Sequence, residues 1–333
     1  MTAEPIVQVS RLTRDFKLGR AAGRHAVLRA VDDVNFDIGR GETLGLVGES
    51  GSGKSTIGCM MIGLLAPSQG DIRLFGKSIT GGQGRANLAA VRRRLQFVFQ
   101  DPYSSLNPRM RVGDAVAEPM DIAGRTPPRE RQERIAQLFE MVGLPPAFAT
   151  RFPHEFSGGQ RQRIVIARAL ALNPDFVVCD EAVASLDVSM QAQIVNLLMD
   201  LQDRLGLSYL FIAHDLAIVK AISHRVAVLY AGEVVEIGDK RRLYAAPRHP
   251  YTQALLQAVP RPVVGRVRTP PIKGELLSVL NRPQGCSLSP RCPHAAERCR
   301  AEKPRLREVE PGWQVACHFH ESIRPAQPGS SSS

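Results

Sequence analysis

The first 260 residues alternate short apolar runs with segments of helical periodicity. Near the N-terminus, IVQVSRL and AVDDVNFDI alternate apolar and polar residues, which is typical of half-exposed strands. Four other runs are continuously apolar and predict strands buried on both faces: TLGLV (43–47), LQFVF (95–99), FVVC (176–179) and YLFIA (209–213). We therefore predict an α/β fold whose functional residues gather where the central strands end.

Helical patterns and turn signals divide the chain further. Residues 113–143 and 159–172 predict helices, and RVAVLYAGEVVEIG (225–238) predicts a hairpin that turns at Ala231-Gly232. After Pro260 the pattern gives way to sequence rich in proline, arginine and cysteine, which we interpret as a domain boundary. The predicted parts are an α/β domain at 1–260 with a helical subdomain at about 101–172, a small cysteine-rich C-terminal domain at 261–325, and a disordered tail at 326–333.

Composition narrows the class of protein only slightly. The chain has 333 residues, 44% of them hydrophobic, which predicts about two globular domains. The start, MTAEPIVQVS, lacks the basic and apolar regions of a secretory signal, and no run approaches the roughly 18 apolar residues of a membrane span. A net charge of +11 fits nucleic-acid binding, an anionic membrane surface or an ordinary solvated surface. Charge alone does not choose among them.

The segment GESGSGKST (48–56) carries the strongest chemical signal. It follows an apolar strand and opens an apolar helix, which is the context that G-x-x-x-x-G-K-[ST] requires for binding nucleotide phosphates. The glycines let backbone N–H groups turn toward phosphate oxygens, Lys54 can reach the β- and γ-phosphates, and the Ser55 hydroxyl can ligate Mg²⁺. The residues predicted to bind ATP here are Gly48, Glu49, Ser50, Gly51, Ser52, Gly53, Lys54, Ser55 and Thr56.

The run DFVVCDE (175–181) predicts the acidic half of the same site. A buried strand there delivers Asp180 and Glu181 at its C-terminal end. One carboxylate can hold Mg²⁺ while the other polarises the attacking water, and we assign these roles to Asp180 and Glu181 respectively.

Between these elements, FSGGQRQR (156–163) resembles the signature of the ATP-binding cassette (ABC) family. A serine and glycines at a helix N-terminus make an anion site. In the family, this signature covers the γ-phosphate bound to a second subunit, so the resemblance implies a head-to-tail dimer of cassettes. The matching residues are Ser157, Gly158, Gly159 and Gln160. The implied fold is a cassette with a RecA-like parallel sheet core, an antiparallel β subdomain and a helical subdomain.

The same resemblance assigns roles to four further residues. Gln100 matches the glutamine that senses the γ-phosphate and Mg²⁺ and contacts the transmembrane partner, and His214 matches the histidine that contacts the γ-phosphate. Asp187 matches an aspartate that crosses the dimer interface, although this chain has Ala-Ser-Leu-Asp where the family usually has Ser-Ala-Leu-Asp. Phe16 is a candidate to stack on adenine and is equally consistent with strand core.

Two segments, FQDPYSSLNPRM (99–110) and HPYTQALLQAVP (249–260), resemble one branch in particular, the ATP-binding subunits of oligopeptide and dipeptide importers with their nickel, glutathione and opine relatives. This implies a second cassette subunit, identical or paralogous, two transmembrane permease subunits, and indirectly an extracytoplasmic substrate-binding protein. It also implies a peripheral position on the cytoplasmic face of the inner membrane. A soluble ATPase acting on nucleic acid is the alternative, but the long heptad coiled coils of such proteins are not seen in this sequence.

Four cysteines near the C-terminus are not needed for ATP chemistry: Cys286, Cys292, Cys299 and Cys317. Disulfides are disfavoured in a reducing cytosol, and the gaps are wider than the C-x₂₋₄-C pairs usual for zinc. Four thiolates without a close pair can surround a [4Fe–4S] cluster, and similar cysteine sets occur in peptide-importer subunits. Zinc and four reduced, unliganded thiols remain the alternatives.

Overall fold

The computed structural model describes residues 4–21, 24–124, 126–258 and 282–323. The strands are β1 (Val7–Ala21), β2 (Arg24–Ile38), β3 (Thr43–Val47), β4 (Gln69–Leu74), β5 (Lys77–Ser78), β6 (Leu95–Val98), β7 (Phe176–Asp180), β8 (Ser208–Ile212), β9 (Arg225–Tyr230), β10 (Glu233–Asp239), β11 (Arg307–Glu310) and β12 (Trp313–Val315). The helices are α1 (Lys54–Met61), α2 (Gly84–Val91), α3 (Pro102–Ser105), α4 (Val112–Ala123), α5 (Pro128–Met141), α6 (Gly158–Ala169), α7 (Val188–Leu205), α8 (Leu216–Ile222), α9 (Lys240–Ala245), α10 (Pro250–Ala258) and α11 (Glu297–Ala301). Short 3-10 helices cover Arg92–Arg94, Pro146–Thr150, Pro153–Glu155 and Leu170–Leu172.

The larger sheet has the strand order β11-β12-β10-β9-β3-β8-β7-β6. Its five strands from β9 to β6 are parallel, and β10, β12 and β11 continue it in antiparallel pairs. Every residue of β3 and β8 is buried, as the apolar runs predicted. Because the central strands are parallel, their carboxyl ends lie along one edge and bring the residues that follow them together.

A second sheet, with the order β2-β1-β4-β5, is antiparallel. Its buried side chains share a core with α1 and with one face of the central strands, through residues such as Leu12, Ile38, Leu44 and Ile57. This packing encloses α1 between the two sheets, so the loop that precedes α1 is fixed from both sides.

All described elements between β6 and β7 are helices, and they occupy the span predicted as a helical subdomain. The predicted helix at 113–143 is wrong in one respect, because the structure divides it into α4 and α5. Gly124 ends the first helix, and Pro128 at the first position of the second has no N–H to continue it.

The cysteine-rich segment is joined to the ATPase fold. Its β12 pairs with β10, and the Trp313 indole Nε1–H donates to the buried Glu236 carboxylate at 3.0 Å. The predicted boundary after residue 260 and the predicted tail at 326–333 lie outside the described residues. Within the described ranges, no helix combines the length and the apolar character needed to cross a membrane.

Candidate functional site

The loop between β3 and α1 exposes the N-terminus of a helix. Gly53 precedes α1 with a φ of 103° and no side chain caps the helix, so the first backbone N–H groups of α1 are open to an anion. A Cβ atom at Gly53 would lie 2.4 Å from the Ala30 carbonyl oxygen, which excludes any larger residue. The loop is also tied to the β9–β10 hairpin, because the Gly232 N–H donates to the Ser52 carbonyl at 2.9 Å.

Lys54 folds back over this loop. Its Nζ donates to the carbonyl oxygens of Gly48, at 2.8 Å, and Glu49, at 2.9 Å, and the side chain is only 5% exposed. Burial lowers the pKa of Lys54, and the carboxylates of Glu181, Asp180 and Glu49 act in the opposite direction. A buried ammonium group beside a helix N-terminus is arranged to bind phosphate oxygens.

The Ser52 hydroxyl is a further sign that the loop between β3 and α1 fits a phosphate. Ser52 is 4% exposed, and its Oγ is one of the buried polar atoms that have no hydrogen-bond partner among the described residues. A buried hydroxyl without a partner is costly, so such an atom in a loop of open N–H groups indicates a polar ligand. The residues present fit the phosphates of a nucleotide.

Ser55 and Asp180 come together as the sequence predicts for a Mg²⁺ site. The Ser55 Oγ donates to Asp180 Oδ1 at 3.0 Å. Burial raises the pKa of Asp180, while the hydrogen bond from Ser55 acts to lower it. A hydroxyl and a carboxylate oxygen are ligands that Mg²⁺ accepts, so the pair fits that ion.

Glu181, directly after Asp180, is directed to a different partner. Its Oε1 lies 3.6 Å from Nδ1 of His214, and its backbone N–H donates to the Ile212 carbonyl at 2.9 Å. The residue has a φ of 49°, in the left-handed region that non-glycine residues seldom occupy. Such strain is concentrated at functional sites, and no sequence pattern indicated it here. The two neighbouring carboxylates therefore serve two separate contacts.

Among the described residues, neither Gln100 nor Phe16 forms a hydrogen bond or an ion pair with these groups. The strand β6 ends at Val98, one residue before the predicted end, and Gln100 is exposed two residues beyond it. Phe16 is a half-buried residue of β1, opposite Leu28, with the Arg14 guanidinium carbon 4.7 Å from its ring centroid. Stacking of Phe16 on adenine stays a prediction.

Ser157 caps the N-terminus of α6. Its Oγ accepts from the Gln160 N–H at 3.3 Å, and the Gln160 side chain accepts from the Ser157 N–H at 3.0 Å, which forms a reciprocal capping box. Gly159 packs closely against α7, since a Cβ atom there would lie 1.8 Å from the Met190 Cε and the methionine side chain would have to move. Ser157 is exposed, which leaves this helix end available to another subunit.

Asp187 caps α7 in the same way. Its carboxylate accepts from the Met190 N–H at 2.9 Å and the Ser189 hydroxyl at 2.6 Å, and these hydrogen bonds lower its pKa. Within the described part of the chain, no hydrogen bond or ion pair joins Ser157 or Asp187 to the group formed by Lys54, Ser55, Asp180, Glu181 and His214. The structure thus brings together the predicted phosphate, Mg²⁺ and general-base residues, whereas the signature residues make no such contact with them.

The four C-terminal cysteines line one small cavity of about 10 Å³, together with His249, His294 and His318. Burial raises the pKa of Cys286 to about 12 and that of Cys317 to about 11, and neighbouring cysteines add to both shifts. However, no three His, Cys, Asp or Glu side chains of the described residues are arranged to hold a metal ion. The structure brings the predicted ligands to one cavity without forming a ligand set.

Three residues near this cavity were missed by sequence reasoning. His249 lines the cavity, Tyr251 hydrogen-bonds to the phosphate loop, and Arg291 forms an ion pair with Glu49. His249 and Tyr251 lie in the segment HPYTQALLQAVP, which indicated a family resemblance but no role for either residue. The only available signal for Arg291 was its position next to Cys292.

Fold and site together define a phosphate-loop nucleotide hydrolase, and comparison with known proteins agrees. The sequence model of the ABC transporter family matches residues 31–184, and that of the oligopeptide/dipeptide transporter C-terminal region matches 235–299. A Brucella abortus (strain 2308) protein whose name describes a peptide import ATP-binding protein is 63% identical, over 95% of this chain and 95% of its own. A similarly named protein of Brucella ovis is 49% identical, over 95% and 98%.

Two solved structures are similar to this chain. The dimeric post-hydrolysis state of the ATP-binding cassette MJ0796 bound to ADP and Pi has a TM-score of 0.62 and 30% identity, covering 71% of this chain and 99% of its own. The structure of cbiO1 from Clostridium perfringens, part of the ABC transporter complex cbiONQ, has a TM-score of 0.63 and 28% identity, covering 73% and 91%. The chain belongs to the ABC transporter family of ATP-binding proteins, and it is an ATPase.

Proposed function

We propose that this chain is the ATP-hydrolysing subunit of an ABC importer for a peptide or a related small solute. The observation that carries the proposal is the match at 235–299 to an oligopeptide/dipeptide transporter C-terminal region, beside relatives named for peptide import. The nucleic-acid alternative rests on net charge alone and is not favoured by these relatives. Transport requires two permease subunits and, outside the membrane, a substrate-binding protein that presents the solute.

The contacts at the ATP site support a division of labour. Lys54, the Ser52 hydroxyl and the open N–H groups of α1 bind the phosphates, while Ser55 and Asp180 hold Mg²⁺, which neutralises charge on the phosphates when bound. Glu181 accepts the proton of the attacking water, and His214 beside it contacts the γ-phosphate. Gln100, exposed after β6, links this site to the permease.

The exposed signature supports a working unit of two cassettes. Ser157 and the N-terminus of α6 face solvent, so in the dimer they close on ATP held by the other subunit, with Asp187 at the interface. The second cassette is this chain again or a paralogous chain, and we favour the paralogue. The pair sits on the cytoplasmic face of the inner membrane as a peripheral complex.

An exposed apolar region after β6 is our proposed permease contact. The side chains of Phe99, Tyr103 and Ile122 are 45%, 64% and 80% exposed, which is unusual for residues of this size. Phe99 directly precedes Gln100, and Tyr103 and Ile122 belong to the segment at 101–125 that we expect the permease to cover.

Transport itself tests this proposal. Membrane vesicles that contain this chain with its permease subunits should accumulate labelled peptide in an ATP-dependent way. Tyr103→Asp should reduce that uptake at least about tenfold, because a buried, unpaired charge at an interface is costly. The matched control is Leu205→Asp at the exposed end of α7, which should transport normally. Peptide uptake that is equal with and without this chain would contradict the proposal.

For the four C-terminal cysteines, we propose ligation of a [4Fe–4S] cluster that stabilises the C-terminal segment and takes no part in ATP hydrolysis. Their convergence on one cavity and their all-thiol chemistry, which selects soft metals, support this. Ligation requires the thiols to close in from the described positions and to lose their protons, since burial keeps the pKa of Cys286 at about 12.

Protein purified without oxygen should be brown, absorb near roughly 400 nm and contain iron and sulfide. Cys292→Ser should lose the colour because one of four ligands is removed, whereas Cys59→Ser, in α1, should retain it. Colourless protein with one zinc per chain would favour the zinc alternative. Protein with neither metal would favour reduced thiols.

A further inference from the structure

The cysteine-rich segment reaches the ATP site through one side chain. Arg291 directly precedes Cys292, and its side chain is 8% exposed. Its Nη1 lies 3.1 Å from Glu49 Oε2 and its Nη2 lies 3.4 Å from Glu49 Oε1, so the guanidinium contacts both carboxylate oxygens. The pair joins residues 242 positions apart in the chain. Two-point contacts of this kind fix the orientation of both groups.

Glu49 is held at each of its polar groups. Its carboxylate contacts Arg291, its backbone N–H donates to the Tyr251 hydroxyl at 3.0 Å, and its carbonyl accepts from Lys54 Nζ at 2.9 Å. The Tyr230 hydroxyl accepts from Arg291 Nη1 at 3.4 Å, and the Tyr230 and Tyr251 rings pack with their centroids 4.6 Å apart. This set of contacts connects the C-terminal segment and α10 to the second residue of the phosphate loop.

The Glu49 carboxylate carries the same sign of charge as the nucleotide phosphates that the loop binds. Phosphate groups are anionic, so a carboxylate beside them repels the ligand, and the repulsion is larger in a partly buried site than in water. Glu49 raises the pKa of Lys54 and so favours the charged ammonium group, which means that the unfavourable effect of its carboxylate falls on the phosphates alone. An opposite charge fixed against Glu49 would reduce that repulsion.

We propose that Arg291 is a positioning residue for ATP binding: it holds the Glu49 carboxylate and offsets its charge, so that the carboxylate does not repel the phosphates bound by the loop. The C-terminal segment thereby sets the affinity of the nucleotide site in its own chain. The inference concerns the ATPase activity and does not depend on which solute is imported or on what the cysteines bind.

The test compares four variants in the assembled transporter, with the KM for MgATP and kcat measured separately. Arg291→Gln should raise the KM about tenfold and change kcat less than about twofold, because the lost interaction acts on binding. When Arg291→Gln is added to Glu49→Gln, the KM should change less than about twofold, since no carboxylate remains to repel phosphate. The double variant should therefore have the KM of Glu49→Gln alone, and Arg291→Lys should give a KM between those of the unsubstituted protein and Arg291→Gln.

Arg298→Gln is the matched control, because Arg298 lies in the same segment and its ion pair, with Glu302, is exposed. It should leave the KM unchanged. The dissociation constant of ADP, measured on the purified full-length chain, should rise in Arg291→Gln and should not rise when Arg291→Gln is added to Glu49→Gln.

Two results would overturn the inference. One is a KM that Arg291→Gln raises by the same factor with and without Glu49→Gln, which would mean that Arg291 does not act through the Glu49 carboxylate. The other is an unchanged KM in Arg291→Gln with a lower unfolding temperature. If Arg291→Gln cannot be obtained folded, Arg291→Lys decides: a KM raised at least about threefold supports the inference, and an unchanged KM overturns it.

Discussion

Glu181→Gln will stop ATP turnover while ATP binding persists. Glutamine keeps the size of the side chain but cannot accept a proton from water, and general-base catalysis accounts for about 10²–10⁴-fold in rate. Asp180 remains in contact with Ser55, so the residues that hold Mg²⁺ are unchanged. We expect kcat in the assembled transporter to fall by about that factor, with the dissociation constant of MgATP changed less than about threefold.

Glu140→Gln is the control for the chemistry of the substitution. Glu140 is an exposed residue of α5, so the same exchange there should leave kcat unaltered. Hydrolysis near the normal rate in Glu181→Gln would assign the base elsewhere. A large loss of ATP affinity would instead show that the left-handed conformation of Glu181 supports the shape of the phosphate site.

Lys54→Ala, in contrast, will lose ATP binding. The substitution removes a buried ammonium group together with its hydrogen bonds to Gly48 and Glu49, which hold the loop in shape. Hydrogen bonds from charged groups contribute roughly 1.5–3 kcal/mol each, so the affinity for MgATP should fall by at least about tenfold. Calorimetric titration of the purified chain with MgATP measures this directly.

The control for Lys54→Ala is Lys77→Ala in β5, where the lysine is exposed. It should bind MgATP normally. Normal binding by Lys54→Ala itself would mean that the backbone N–H groups and Ser52 suffice for the phosphates. Because Lys54 is buried, the unfolding temperature of each variant should be measured in parallel, and a folded Lys54→Ala protein without affinity is the expected result.

The placement of the C-terminal segment bears on both predictions. With β12 paired to β10 and Arg291 paired to Glu49, this segment is part of the structure that supports the ATP site. Arg291 directly precedes Cys292 and contacts Glu49 in the phosphate loop, so we expect changes among the cysteines to affect that loop. Measurements on chains truncated after α10 would lack this support.

The local elements could be predicted from the sequence because each depends on neighbouring residues. The strand TLGLV, the loop at 48–56 and the helix that follows are contiguous, and their pattern was sufficient to predict a phosphate site. The capping of α6 by Ser157 and Gln160 is likewise a contact over three residues. Gly124 and Pro128 are signals of a helix break, but the helical periodicity on both sides of them led to the prediction of one continuous helix.

Only the tertiary structure could decide contacts that depend on strand order. The approach of His214 to Glu181 requires β7 and β8 to be neighbours, and so does the hydrogen bond from the Glu181 N–H to the Ile212 carbonyl. The pairing of β12 with β10 and the contact of Arg291 with Glu49 also bring together residues that are far apart in the sequence. Sequence motifs can identify each of these residues separately, but only the packing of the sheets determines which of them come into contact.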